Sequence, residues 1–250
     1  MPKAYFISDL HLGATYNAAD KALERRVVAF LDAIRADACE LYLLGDILDY
    51  WFEYRYVVPR GYVRFFGKLA QLADAGVKIT WIIGNHDIWI FDYLPAELGI
   101  CVVDGVLECD ILGSRFCIQH GDAVGGSRKF RVLRSLFRNR VLQKLFSGIH
   151  PRWTVGFAYA WSRHSRLSAR QRGDGACAPG QQRWLDAVRV WCEERIAGGD
   201  PSRYYLFGHL HRGVEENLSD GRKLIVLPDW PSGEGYGVFD GENFYVMQHI

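Results

Sequence analysis

The stretch Glu40-Leu-Tyr-Leu-Leu-Gly-Asp-Ile-Leu-Asp49 decides the fold. Leu41 to Leu44 has the length and unbroken apolarity of a strand buried on both faces, and Gly45 lets the backbone turn where the sheet ends. Asp46 is thereby delivered to the carboxyl edge, where open α/β sheets hold their ligands. The same device recurs on both sides of it. Ala4 to Ser8 leads into Asp9-Leu-His11, Lys78 to Ile83 into Gly84-Asn-His-Asp87, Arg115 to Gln119 into His120-Gly-Asp122, and Tyr204 to Phe207 into Gly208-His-Leu-His211. Asp9 and His11, two apart in an extended or turning segment, point to one side and can chelate one cation together.

Between these runs lie helical patterns. Leu23, Val27, Phe30, Leu31 and Ile34 predict an amphipathic helix over 18–35, a second is expected over 61–75, and Trp184, Val188, Trp191 and Cys192 mark the buried face of a third over 181–197. Residues 100–103 read as a further strand, and the tail from Lys223 to Met247, broken by Gly, Pro and Asp, reads as strands of a second sheet. The expectation is a four-layer α/β/β/α sandwich in two chain segments, 1–122 and 181–250, with an insertion over 123–180. The aromatic run Tyr50 to Tyr56 is expected to be a packing cluster, with an acyl-chain or base-stacking surface as the sharper reading.

At 250 residues, 49% of them apolar and with a net charge of +1, the chain suits one globular α/β domain carrying an insertion. Its six cysteines form no Cys-x-x-Cys pair, which fits a reducing cytoplasm. The amino terminus enters a strand without a signal-peptide core, and no apolar stretch approaches the ~20 residues that span a bilayer, so any membrane contact is expected to be peripheral.

Any one of the five clusters is weak; all five in this order are a strong signal. Asp-x-His, Gly-Asp-x-x-Asp, Gly-Asn-His-Asp, His-Gly-Asp and Gly-His-x-His together resemble the calcineurin-like metallophosphoesterases from residue 4 to about residue 230. The resemblance implies one divalent cation on Asp9, His11, Asp46 and His211, and another on Asp46, Asn85, His120 and His209. It further implies in-line attack on phosphorus by a hydroxide bridging the pair, with Asp46 and Asn85 completing the reactive centre and His86 neutralising a phosphate oxygen or protonating the departing group. Carboxylate, imidazole and amide oxygen without thiolate suit Mn, Fe or Zn. Asp49, Asp87 and Asp122 are expected to orient imidazoles or turns.

The insertion bears on substrate. From Ala123 to Gly173 there are twelve Lys or Arg and no Asp or Glu, leaving 18 basic and 29 acidic residues, or −11, elsewhere. Phe130, Leu133, Phe137, Val141 and Leu145 recur at helical spacing, and Trp153, Phe157 and Trp161 mark a second helix. A basic amphipathic helix pair is what a surface-lying contact with an anionic membrane looks like. Packing of the apolar faces on the main domain is the plainer alternative. Nucleic acid is disfavoured because the aromatics are not interleaved with the basic positions.

A helical basic cap between His-Gly-Asp and Gly-His-x-His, with a late strand ending in Asp229-Trp230, resembles the UDP-2,3-diacylglucosamine hydrolase family of lipid A biosynthesis. That resemblance implies manganese-dependent cleavage of a diacylated UDP-sugar to UMP and the lipid monosaccharide phosphate, at the cytoplasmic face of the inner membrane. It makes Asn85, His86, His209, Arg128, Arg163 and Arg166 candidate substrate contacts. His86 and Leu210 stand where the best-known branch has Arg and Thr, so a phosphodiesterase or phosphomonoesterase acting on another nucleotide or lipid phosphate stays open.

Overall fold

The computed structural model describes residues 1–14, 20–125, 128–160, 179–232 and 235–247. Its first sheet has the order β11-β10-β1-β2-β3-β4, built from β1 (Lys3–Ile7), β2 (Ala38–Leu43), β3 (Lys78–Ile82), β4 (Cys101–Val103), β10 (Tyr236–Phe239) and β11 (Phe244–Met247). Strands β1 to β4 run parallel, while β10 adds antiparallel beside β1 and β11 antiparallel beside β10. The second sheet, ordered β5-β6-β7-β9-β8, comprises β5 (Leu107–Ile111), β6 (Ser114–Ile118), β7 (Tyr204–Phe207), β8 (Val214–Asn217) and β9 (Lys223–Val226). Here β6, β7 and β9 are parallel.

Alternation along the central strands sorts their side chains into separate layers. Ala4, Phe6, Tyr42, Ile82, Phe116, Ile118, Tyr204, Leu206 and Ile225 fill the space between the two sheets. Tyr5, Ile7, Leu41, Leu43 and Trp81 face the other way, against α1 (Asp20–Ile34) and α2 (Val63–Asp74). On the far side Cys117, Tyr205, Phe207, Leu224 and Val226 pack against Leu185, Val188, Cys192 and Ile196 of α7 (Pro179–Ala197). Three apolar interfaces make four layers, as expected.

Several details depart from expectation. The tail does not stay in one sheet: β9 joins the second, but β10 and β11 close the edge of the first, where Tyr236 and Val238 reach the α1 layer and Phe239 the inter-sheet layer. Short β5 and β8, and α3 (Tyr93–Leu98), were not expected. In the insertion, α4 (Arg128–Phe137) and α5 (Arg140–Ser147) are separate helices. Asn139 ends the continuous helix that the apolar spacing predicts: its backbone is extended, and its side chain accepts from the N–H groups of Val141 and Leu142 at 3.0 and 3.1 Å. Residues 151–160 form a further helix, α6.

Among the described residues, the insertion is fastened to the main domain by ion pairs, hydrogen bonds and ring contacts. Arg134 donates to Asp122 at 2.7 Å, Trp89 Nε1 to the Phe137 carbonyl at 2.9 Å, and Phe146 packs on Phe52 and Trp89. Tyr159 meets Tyr50, and Tyr54 bonds Thr154. The run after Asp49 is thus a packing cluster, as expected, and part of it is the seat of the insertion. Beneath it, Glu53 accepts from Trp51 Nε1 and from the backbone N–H groups of Phe91, Asp92 and Tyr93, tying this loop to the start of α3.

Candidate metal centre

The polar clusters that follow β1, β2, β3, β6 and β7 meet at one edge of the two sheets. Asp9, His11 and His211 form one group of potential cation ligands, Asp46, His120 and His209 another, and His11, Asp46 and His86 a third. Asp9, His11, Asp46 and His120 are almost wholly buried.

The backbone is strained where the ligands sit. Asp9, His11, Asp46, His209 and His211 all have positive φ, between 47° and 70°, a region that residues with a Cβ occupy at a cost of ~1–3 kcal/mol each. Five of the chain's non-glycine left-handed residues falling at one edge is a mark of function. Two glycines make the approach possible. A methyl group on Gly84 would overlap Asp46, and one on Gly208 would overlap Ser8 and Asp9.

Hydrogen bonds fix which atoms face inward. His120 Nδ1 lies 2.8 Å from the Leu44 carbonyl, which can only accept, so Nδ1 carries a proton and Nε2 is turned toward Asp46 Oδ2 at 3.4 Å. His211 Nδ1 lies 3.2 Å from Asp229 Oδ2, turning Nε2 toward Asp9 Oδ1 at 3.4 Å. His11 Nε2 is 3.7 Å from Asp9 Oδ1 and 3.8 Å from Asp46 Oδ2, with its Nδ1 3.6 Å from Asp49 Oδ1. His209 Nδ1 faces His120 Nε2 at 3.3 Å. The outer oxygens of the carboxylates are occupied elsewhere: Ser8 Oγ and the His209 N–H donate to Asp9 Oδ2, and the His86 N–H to Asp46 Oδ1.

These residues fit divalent cations. Buried Asp9 Oδ1 and Asn85 Oδ1 have no hydrogen-bond donor among the described residues. Separations of 3.3–3.8 Å between inward-facing atoms are long for hydrogen bonds. They match the edges of a coordination shell with bonds of ~2.1 Å, for which a tetrahedron has edges of ~3.4 Å. Charge agrees. Burial opposes ionisation of Asp9 and Asp46, yet the imidazoles around them hold both carboxyls below the usual range. Burial and the charge of His120 push His209 down to about 4, so its ring is a neutral donor.

Each expected ligand therefore lies at this edge. Asn85 and His86 sit in the loop after β3, with His86 Nδ1 2.9 Å from the Asp49 carbonyl. Arg163, Arg166 and the Arg128 side chain lie outside the described residues. Among the expected supporting acids, Asp49 faces His11 and His86; Asp87 holds its loop by accepting from Gly84 N, Ile47 N and Trp81 Nε1; Asp122 binds Arg134 of the insertion. Burial, then repulsion from Asp46, raises Asp87 to about 6. Sequence reasoning missed Asp229 as the partner of His211, although Leu227-Pro-Asp-Trp230 was in view, and missed the Leu44 carbonyl, which leaves no trace in a sequence.

Paired carboxylate-imidazole sites at the shared edge of a two-sheet sandwich define a metal-dependent phosphoesterase. Residues 2–213 match the calcineurin-like phosphoesterases, and the chain belongs to that family. A UDP-2,3-diacylglucosamine hydrolase from Porphyromonas gingivalis is 41% identical over 247 residues, covering 96% of this chain and 94% of its own. Another enzyme of that name, from Neisseria meningitidis, is 27% identical over 92% of this chain and 90% of its own. Among solved structures, an archaeal phosphodiesterase aligns over 98% of this chain and 99% of its own with a TM-score of 0.46 and 14% identity.

Proposed function

We propose that the protein hydrolyses the pyrophosphate of UDP-2,3-diacylglucosamine, giving UMP and 2,3-diacylglucosamine 1-phosphate. The observation that carries this reading is 41% identity, over nearly the whole chain, to a hydrolase named for that substrate. Asp9, His11, Asp46 and His211 would hold one cation and Asp46, Asn85, His120 and His209 the other, manganese suiting the oxygen and imidazole donors. When bound, the pair supplies Lewis acidity that activates water and offsets phosphate charge.

The chain's own groups do the rest. With Nδ1–H donated to the Asp49 carbonyl, His86 keeps Nε2 to hold a proton against a phosphoryl oxygen. Asp46, fixed by the His86 N–H, shares its other oxygen between the two ligand groups. The insertion offers the lipid a place. Val141, Leu145, Trp153 and Phe157 are between 63% and 73% exposed, alongside Lys144 and Arg152. Such a surface suits peripheral attachment to the cytoplasmic face of an anionic membrane, and no helix among the described residues is long and apolar enough to cross one.

The test is UMP release from the diacylated substrate by metal-stripped protein, with and without Mn²⁺. Release that requires the metal and slows by at least about tenfold on the deacylated analogue supports the reading. Equal rates on both, or faster turnover of p-nitrophenyl phosphate, overturn it in favour of a broader phosphodiesterase or phosphomonoesterase.

A further inference from the structure

We propose that Trp184, in the first turns of α7, is a positioning residue that sets the ring of His209 and with it the second cation position; the inference rests on the metal-centre reading above. Three imidazoles at this edge are oriented through a ring nitrogen: His120 on the Leu44 carbonyl, His211 on Asp229, and His86 on the Asp49 carbonyl. His209 is held differently. Its Nδ1 is turned toward His120 Nε2, and its ring lies against the Trp184 indole, with centroids 5.7 Å apart and planes at 46°.

The indole is itself anchored to the partner loop. Trp184 Nε1 donates to the Gly121 carbonyl at 3.1 Å. Gly121 has φ 109°, and a Cβ there would sit 2.7 Å from Trp184 Cζ2, so backbone and indole are in direct contact. Phe207 meets the indole edge-on at 6.2 Å. One side chain of α7 thus touches both loops, His120-Gly121 and Gly208-His209, that bring imidazoles to the second site. The division of labour is physical: the N–H fixes the indole on one loop, and the ring face limits the tilt of the histidine on the other. Other metal-bound histidines obtain the same restraint from a hydrogen-bonded oxygen, and losing such support weakens metal binding by about 10–100-fold.

Calorimetric titration of the metal-free full chain with Mn²⁺ tests this. Wild-type protein is expected to take up two equivalents. In Trp184→Leu one equivalent weakens by about 10–100-fold while the other is unchanged, and Trp184→Phe, which restores a ring, recovers most of the loss. Trp191→Leu is the control, because Trp191 packs on Phe207 from the same helix; it is expected to lower Tm with both equivalents intact. If Trp184→Leu does not fold, Trp184→Met, closer in volume and lacking a ring, carries the same expectation. Two unaltered equivalents in the ringless variant, or the same loss in Trp191→Leu, overturn the positioning role. A wild-type protein that binds fewer than two cations overturns the metal-centre reading itself, which separates the two failures.

Discussion

At the edge where the sheets meet, Asp9, His11, Asp46 and His120 are shut away from solvent and pinned by hydrogen bonds, on strained backbone at the first three; in the insertion, Val141, Leu145, Trp153 and Phe157 leave most of their apolar surface in solvent. Among the described residues, the insertion meets the main domain through aromatic contacts, hydrogen bonds and ion pairs. Strain of this kind persists only where surrounding packing over-determines it, so the first region is a place for chemistry. Among the described residues, the apolar side chains along these basic helices are left bare, the pattern of a contact surface. The core holds the candidate metal centre, and the insertion carries the exposed apolar surface proposed above for the lipid.

The largest effect is expected from Asp46→Ala, which removes the carboxylate common to two ligand groups: turnover falls by about 10³-fold or more, with loss of bound metal by elemental analysis, while any cosedimentation with anionic vesicles is unchanged. Retained activity would break the contrast at its root. Next, Gly84→Ala forces a methyl against Asp46 and is expected to cost about 3 kcal/mol by denaturant unfolding, with weakened Mn²⁺ uptake. Arg134→Gln tests the join. It leaves buried Asp122 without its 2.7 Å partner, so a loss of about 1–2 kcal/mol is expected, and the apparent KM for a lipid substrate rises more than kcat falls. The smallest effect on the folded state comes from the double variant Leu145→Ser, Trp153→Ser. Unfolding free energy stays within about 0.5 kcal/mol of wild type, since both side chains are already two-thirds or more exposed, yet cosedimentation with anionic vesicles falls by about tenfold.

The comparison also shows where sequence reading works. Along β1, β2, β3, β6 and β7 the side-chain environment is set by the next residue but one, so short apolar runs and the polar residues ending them are visible without a structure. In the insertion, apolar residues at helical spacing predict helices but not what they face. Phe146 finds Phe52 and Trp89 while Leu145, one residue away, finds solvent. The break at Asn139 escaped the periodicity because a capping side chain can stand between two helices whose apolar positions stay in phase. The sheet joined by β10 escaped for another reason: its alternation fits either sheet, and pairing Phe239 with Ala4 is a long-range choice.

By itself the amino-acid sequence determined the elements that carry chemistry: strand ends are local, and carboxylates, amide and imidazoles just beyond them announce themselves by order and spacing. Only the tertiary structure decided which nitrogen of each histidine faces inward, that Asp229 supports His211, and that Trp184 lies on His209. Those facts depend on backbone carbonyls and on residues far apart in the chain, whose meeting is fixed by packing of whole layers and not by any pattern along a segment.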